Sequence, residues 1–278
     1  MGQARIGSAL TYGHTLRRLT KYRKARSFSF AEMDDDFIKD FEAFLRNNGN
    51  RTNTVGLHMR NLRSIYNQAI KKKLAKAESY PFSSYKIRTQ ATMKRSLTDL
   101  EIQKLLKYQS PISRINDSIN AFFFSYFSFG MNIQDIARLR FNNIERGFII
   151  YRRKKTGTIF KIPINDYLAK IILKYEGQNP PFIFPVISET MNPLNERQKI
   201  HEWRKKINED LKTVAGLQSL PKELSIYWAR HSAATQLQRK KISTSMISQA
   251  LGHATEKTTK IYLAGFGDEV MGEIQKLL

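Results

Sequence analysis

Apolar residues recur every three to four positions along most of the 278 residues, and one short β segment interrupts this pattern. Such spacing places apolar side chains on one face of an α-helix. The sequence therefore predicts a mainly α fold with a small antiparallel β hairpin or sheet. Helices are predicted over residues 8–30, 33–47, 52–74, 114–129, 166–175, 196–215, 224–238, 243–251, 255–262 and 268–278.

The β interruption consists of two short apolar runs, Phe148–Tyr151 and Ile159–Ile162, on either side of Lys155-Thr-Gly-Thr158. A Thr-Gly pair between two β runs indicates a turn. These residues therefore predict a hairpin that carries Lys155 in its turn.

Two domains are predicted, residues 1–92 and 93–278. Residues 80–94 have the composition of an extended linker, and Thr98 with Glu101 has the spacing of a capping box that starts a new helix. The boundary is therefore placed near residues 90–96.

The chain carries 47 Lys and Arg against 24 Asp and Glu, a net charge of +23. Residues 1–90 hold 18 basic and 7 acidic residues, a net +11, so the excess is shared by both halves. A protein this basic is expected to bind a polyanion, which favours double-stranded DNA. A membrane partner is disfavoured, because the longest apolar run, residues 121–129, is far shorter than the ~20 residues of a membrane span.

Several kinds of chemistry are disfavoured by the residues present. Cysteine is absent, the five histidines have no paired spacing, and no clear acidic metal-binding motif occurs. We expect no metal, no cofactor and, since no signal peptide is recognised, a cytoplasmic location. A metal-free enzyme acting on DNA must neutralise phosphate with basic side chains and use a side-chain nucleophile, for which tyrosine is suited.

The C-terminal third contains an ordered set of short motifs. Ala229-Arg-His-Ser-Ala-Ala-Thr235 is followed by Leu251-Gly-His253, and Tyr262 stands nine residues after the histidine. This arrangement resembles the tyrosine recombinase (phage integrase) family. The sequences of residues 227–232 and 130–137 are most similar to those of integrases of conjugative transposons and related bacterial mobile elements.

The resemblance implies a role for each matching residue. Arg230 corresponds to the second family arginine, which binds the scissile phosphate. Lys155 corresponds to the lysine that protonates the leaving 5′-oxygen. His253 corresponds to the third-box histidine, which hydrogen-bonds the phosphate and helps to activate the tyrosine. Tyr262 corresponds to the nucleophile, which forms a 3′-phosphotyrosine intermediate.

Two positions depart from the family pattern. Asn132 stands where the first family arginine is expected, and Tyr227 stands where a histidine is usual. An amide and a phenol can donate hydrogen bonds to phosphate, but neither supplies a charge near pH 7. Three arginines are candidates for the missing charge: Arg153, Arg114 and Arg138.

The resemblance also implies an architecture and partners. An N-terminal helical core-binding domain and a C-terminal catalytic domain would clamp the DNA, and four protomers would join two duplexes for integration or excision, with accessory DNA-bending factors. A further N-terminal arm-binding domain is not recognised, so the chain is either shortened or a shorter member. The apolar stripe of residues 268–278 would pack on a neighbouring protomer or on its own domain.

Two other functions are kept open. A type IB topoisomerase would use the same chemistry without exchanging partners. A weakened or catalytically silent DNA-binding member of the family would explain the loss of arginine at Asn132.

Overall fold

The computed structural model describes residues 6–90, residues 96–252 and Thr259. The chain divides into two compact units, residues 1–92 and 93–278. Across the described residues the fold is mainly α-helical with one small antiparallel sheet, which confirms the predicted fold class. No helix in this part of the chain is both long enough and apolar enough to cross a membrane. The predicted helices at 255–262 and 268–278 lie outside the described residues.

The first unit is built from three helices, α1 (Ile6–Tyr22), α2 (Asp35–Asn47) and α3 (Thr52–Lys71). The Asp34 side chain caps α2 by accepting a hydrogen bond from the Phe37 amide at 2.8 Å. The apolar faces of the three helices meet in one core, because their spacing puts these side chains on the inner faces. The core includes Leu19, Phe37, Phe41, Leu45, Val55, Met59, Leu62 and Tyr66.

The first helix is shorter than predicted. It ends at Tyr22 rather than near residue 30, and Ser8, predicted to be its N-cap, lies inside it. Lys24 and Ala25 take positive φ angles of 50° and 62°, and the Ala25 amide donates back to the Thr20 carbonyl at 2.9 Å. This left-handed turn ends the helix, which apolar spacing alone did not reveal.

The segment after α3 contains neither helix nor strand up to residue 90. Its aromatic residues nevertheless pack into the core of the first unit. Phe82 is buried, and the Tyr80 ring lies edge-on to Tyr66 with centroids 5.8 Å apart. Tyr80, Phe82 and Tyr85 therefore belong to the first unit's core, and this part of the segment is not a simple linker.

The second unit contains seven α-helices among its described residues: α4 (Asp99–Lys107), α5 (Ser113–Phe127), α6 (Ile133–Ile136), α7 (Asp166–Tyr175), α8 (Pro193–Leu217), α9 (Ile226–Arg239) and α10 (Thr244–Leu251). Helix α5 packs against α7, α8 and α9, and its Phe122 and Phe124 are fully buried. The aromatic run of α5 is therefore the centre of the core. At the start of α4, Thr98 and Glu101 form the predicted capping box.

Three antiparallel strands pair in the order β1 (Ile144–Glu145), β2 (Phe148–Arg152) and β3 (Ile159–Pro163). In the register of β2 and β3, Ile149 pairs with Ile162 and Tyr151 with Phe160. Alternate side chains on this sheet are buried, as expected when one face packs on helices. The two predicted β runs are therefore present, and residues 153–158 connect them.

Candidate active site

Arg230 lies on the buried side of α9, only 9% exposed. Several residues near it on the helix are small, and Ala229, Ser232 and Ala233 are buried against the rest of the unit. The Ser232 hydroxyl accepts a hydrogen bond from the Leu97 amide at 2.9 Å, which ties α9 to the segment before α4. The small residues therefore allow α9 to pack closely and hold the guanidinium group in a fixed place.

The guanidinium group of Arg230 joins two separate segments. Its Nη1 donates to the Gly130 carbonyl at 2.8 Å, and its Nη2 donates to the Leu251 carbonyl at 2.6 Å. Gly130 has a φ of +76°, and a Cβ there would overlap the Arg230 side chain. The turn between α5 and α6 therefore needs glycine both for its backbone conformation and for the approach of Arg230.

Asn132 and Tyr227 line the same cleft as Arg230, which has a volume of about 410 Å³. The Asn132 side chain caps α6, because its Oδ1 accepts a hydrogen bond from the Gln134 amide at 2.9 Å. Its amide nitrogen is thus the group left to donate. Tyr227 is 54% exposed and lies edge-on to the buried His231, with ring centroids 4.7 Å apart.

Arg153 reaches the same carbonyl as Arg230. Its Nη1 lies 3.5 Å from the Leu251 oxygen and 3.2 Å from the Gly252 oxygen, and its side chain is 15% exposed. Carbonyls at a helix C-terminus carry partial negative charge, which favours a nearby guanidinium. Two cations therefore converge on the end of α10.

Lys155 lies exposed in the turn between β2 and β3. The turn is closed at its base, because the Arg153 amide donates to Thr158 and the Gly157 amide donates to Arg153, both at 2.8 Å. The Lys154 ammonium contacts Glu196 at 3.3 Å. Lys155 therefore lies at the tip of a turn whose base is held in place. It takes no part in the contacts that Arg153 and Arg230 make with the end of α10.

Asp135 is a site residue that the sequence analysis did not identify. It is 8% exposed, accepts a hydrogen bond from the Lys154 amide at 3.3 Å and lies 3.9 Å from the Arg153 Nε. Burial raises the pKa of its carboxyl, while the Lys154 amide and then Arg153 act in the opposite direction. In the sequence it reads as an ordinary acidic residue in the first turn of a helix, so no signal distinguished it.

The other two arginines considered for the missing charge are paired elsewhere. Arg138 contacts Glu196 at 2.5 Å, and Arg114 contacts the buried Asp210 at 2.5 Å. Arg153 is thus the one of the three that shares an acceptor with Arg230. His253 and Tyr262 lie outside the described residues.

Within the described part of the chain, no group of three or more His, Asp or Glu side chains is placed to hold a metal ion. The ionic groups of this cleft are instead suited to holding an anion, since a buried guanidinium binds phosphate oxygens through directed hydrogen bonds.

Comparison with known families agrees with this arrangement. Residues 95–266 match the phage integrase family, and residues 2–87 match the phage integrase SAM-like domain. The chain belongs to the phage integrase family.

Two archaeal relatives are similar in sequence. Tyrosine recombinase XerA of Pyrococcus furiosus is 30% identical over 176 residues, which is 62% of this chain and 57% of that protein. XerA of Pyrococcus horikoshii is 26% identical over 262 residues, which is 90% of this chain and 82% of that protein.

Solved structures share the fold at lower identity. XerH recombinase bound to a palindromic difH substrate has a TM-score of 0.71 at 16% identity, covering 95% of this chain and 78% of that one. Tn1549 transposon integrase with transposon right end DNA has a TM-score of 0.68 at 16% identity, covering 98% and 93%. Lambda integrase (75–356), as a dimer on a core site, has a TM-score of 0.67 at 16% identity, covering 94% and 90%.

Proposed function

We propose that this protein is a site-specific DNA recombinase that cuts and rejoins DNA through a 3′-phosphotyrosine at Tyr262, to integrate or excise a mobile element. The observation that carries the proposal is the convergence of Arg230 and Arg153 on the Leu251 carbonyl. Gly252 and then His253 follow directly in the sequence. Two guanidinium groups meet beside the motif that precedes the nucleophile.

The reaction requires charge stabilisation and two proton transfers. The Tyr262 oxygen attacks phosphorus, and its proton passes to a base, the role assigned to His253. The bond to the 5′-oxygen breaks, and that oxygen takes a proton from Lys155. One phosphodiester replaces another, so the reverse step with a partner strand's 5′-hydroxyl needs no ATP, metal or other cofactor.

The cations and hydrogen-bond donors of the cleft would stabilise the pentavalent transition state. Arg230 would hold non-bridging phosphate oxygens. Arg153 would supply a second positive charge and, through its bonds to the carbonyls there, would orient the end of α10. Asn132 and Tyr227 would donate neutral hydrogen bonds to the same phosphate. Preorganised donors of this kind act without rearranging during the reaction.

The partners follow from the same proposal. Double-stranded DNA is the substrate, held by basic residues of both units, and its binding should weaken steeply with salt. Similar integrases have been solved on DNA as a dimer and as a tetramer, which supports a tetrameric synapse here. Accessory DNA-bending factors would assist, and the reaction would take place in the bacterial cytoplasm.

The test is covalent capture on a nicked suicide duplex that carries the protein's recombination site. We expect an adduct on a denaturing gel that is lost in Tyr262→Phe and still formed, though more slowly, in Tyr227→Phe, which removes the exposed phenolic hydroxyl of the cleft. An adduct that disappears only in Tyr227→Phe would overturn the assignment of the nucleophile.

The silent DNA-binding alternative rests on Asn132. Tight binding to the duplex with no adduct from the unaltered protein would support that alternative. A type IB topoisomerase would form the adduct but would relax supercoiled DNA without joining two different duplexes.

A further inference from the structure

Helix α8 forms part of the wall of this cleft. Four α8 side chains line it together with Arg230, Asn132 and Tyr227; they are His201, Arg204, Lys205 and Asn208. Their spacing of three, four and seven residues places them on one helical face. The cleft that holds the buried arginine is therefore lined by basic side chains from both α8 and α9.

Helix α8 is held firmly against the rest of the unit. Ile207 and Leu211 are buried in the core, and the Asn208 Oδ1 accepts a hydrogen bond from the Ile226 amide at the start of α9, at 2.9 Å. Near its other end, Glu196 pairs with Arg138, which follows α6. The basic face of α8 is therefore fixed in relation to both Asn132 and Arg230.

Arg204 is the cation of this face best suited to bind an anion. Its Nη2 lies 3.0 Å from the His201 Nδ1, and among the described residues it makes no ion pair with a carboxylate. Lys205, by contrast, lies 3.9 Å from the Glu209 carboxylate. The Arg204 guanidinium is exposed and retains further donors for a ligand.

We propose that Arg204 is a phosphate-binding residue of the active-site cleft, and that it supplies from α8 the positive charge that Asn132 does not. This inference rests on the recombinase function proposed above. The two arginines occupy different positions. Arg153 is bound to carbonyls at the end of α10, whereas Arg204 lines the same cleft as Asn132. A planar guanidinium can bind two oxygens of one phosphate.

The experiment measures single-turnover adduct formation and DNA affinity for Arg204→Ala, Arg204→Lys and a matched control, Lys206→Ala. Lys206 is an exposed cation on the same helix that does not line the cleft. We expect Arg204→Ala to slow adduct formation on the order of 100-fold, as for loss of one transition-state donor. Arg204→Lys should recover part of the rate, and Lys206→Ala should change rate and affinity by less than threefold.

A second substrate separates a charge role from a structural one. A duplex with a methylphosphonate at the scissile position has no negative charge there, so the deficit of Arg204→Ala should shrink at least tenfold on it. Equal rates for Arg204→Ala and the unaltered protein on normal DNA would overturn the inference, as would a deficit of the same size on both substrates. An absence of adduct with the unaltered protein would instead overturn the proposed function.

Discussion

Gly130 and Arg230 pack so closely that no side chain could fit between them. The arginine also donates to the glycine's carbonyl, so one turn both receives and positions the guanidinium. Gly130 therefore positions the Arg230 guanidinium of the candidate active site through its backbone alone.

Gly130→Ala should lower both the rate of adduct formation and the stability of the fold. A Cβ at a positive φ costs about 1–2 kcal/mol, and here it would also displace Arg230. Gly177→Ala is the matched control, because Gly177 has the same φ of +76° with nothing within 4 Å of its Cβ position. We expect Gly130→Ala to be less stable than Gly177→Ala, because its Cβ would lie 2.8 Å from the Arg230 Cα. At a temperature where both variants are folded, adduct formation should be about 100-fold slower in Gly130→Ala alone. Equal activity of the two variants would contradict this.

Arg153→Ala should slow covalent adduct formation by about 100-fold, because it removes a charge and leaves the Leu251 and Gly252 carbonyls with fewer donors. Arg153→Lys should recover only part of the rate, since an ammonium cannot reproduce a planar fork of donors. Arg146→Ala removes a fully surface arginine and is the control. A rate for Arg153→Ala within twofold of the unaltered protein would remove Arg153 from the site.

Asp135→Asn should stabilise the fold and lower activity at once. Burial raises the pKa of this carboxyl in the folded state. As the pH rises from the pKa of the unfolded state to the higher pKa of the folded state, ionisation therefore lowers the stability of the fold. The amide removes this cost, so the melting temperature should rise at pH 7.5 and change less near pH 4. Adduct formation should fall, since the carboxylate beside Arg153 is lost.

The control for that experiment is Asp166→Asn, which changes an exposed aspartate also in the first turn of a helix. Its melting temperature should not rise at pH 7.5. A melting temperature of Asp135→Asn that falls at pH 7.5 would show that the ion pair outweighs the cost of burial.

The first unit should lose stability in mild acid through His58. This histidine is buried, and its Nδ1 lies 2.9 Å from the Thr15 hydroxyl. Burial lowers its pKa, with Arg18 and His14 adding to the effect. The folded state therefore resists protonation, and stability present above pH 6.5 is lost as the pH falls toward the lower folded-state pKa.

Hydrogen exchange of α1 and α3 amides in the full chain measures this effect. Protection should fall between pH 7.5 and pH 5.5 in the unaltered protein, after correction for intrinsic exchange rates, and His58→Gln should flatten the dependence. His14→Gln changes an exposed histidine and should leave the dependence in place. A slope unchanged in His58→Gln would assign the pH response to another group.

Most of the fold could be predicted from local patterns. The aromatic run of α5, the two β runs and the capping box at Thr98 each depend on neighbouring residues, which the sequence displays directly. The end of α1 was missed because Lys24 and Ala25 adopt a left-handed turn without glycine or asparagine. The burial of Phe82 was missed because the core that it joins is built mostly from α1, α2 and α3, which precede it in the chain.

The candidate site was predictable only where side chains occur in motifs. Arg230 could be identified from its motif, but its acceptors are the backbone carbonyls of Gly130 and Leu251, and every residue has such a group. Asp135 and Arg204 become notable only through their neighbours in space. Long-range packing brings those neighbours together, so no spacing in the sequence signals them.

The tethered turn between β2 and β3 limits how far its lysine can travel. Arg153 contacts the end of α10, and Lys154 contacts Asp135 and Glu196. Lys155 follows these two residues directly, so its backbone has little freedom to move. The proposed proton transfer from Lys155 would therefore require the leaving 5′-oxygen to lie close to this turn. Arg153 and Lys154 thus hold the turn in place, while the side chain of Lys155 is left exposed. Inserting one residue between Lys154 and Lys155 would keep every charge but move Lys155 away from the position proposed for proton transfer.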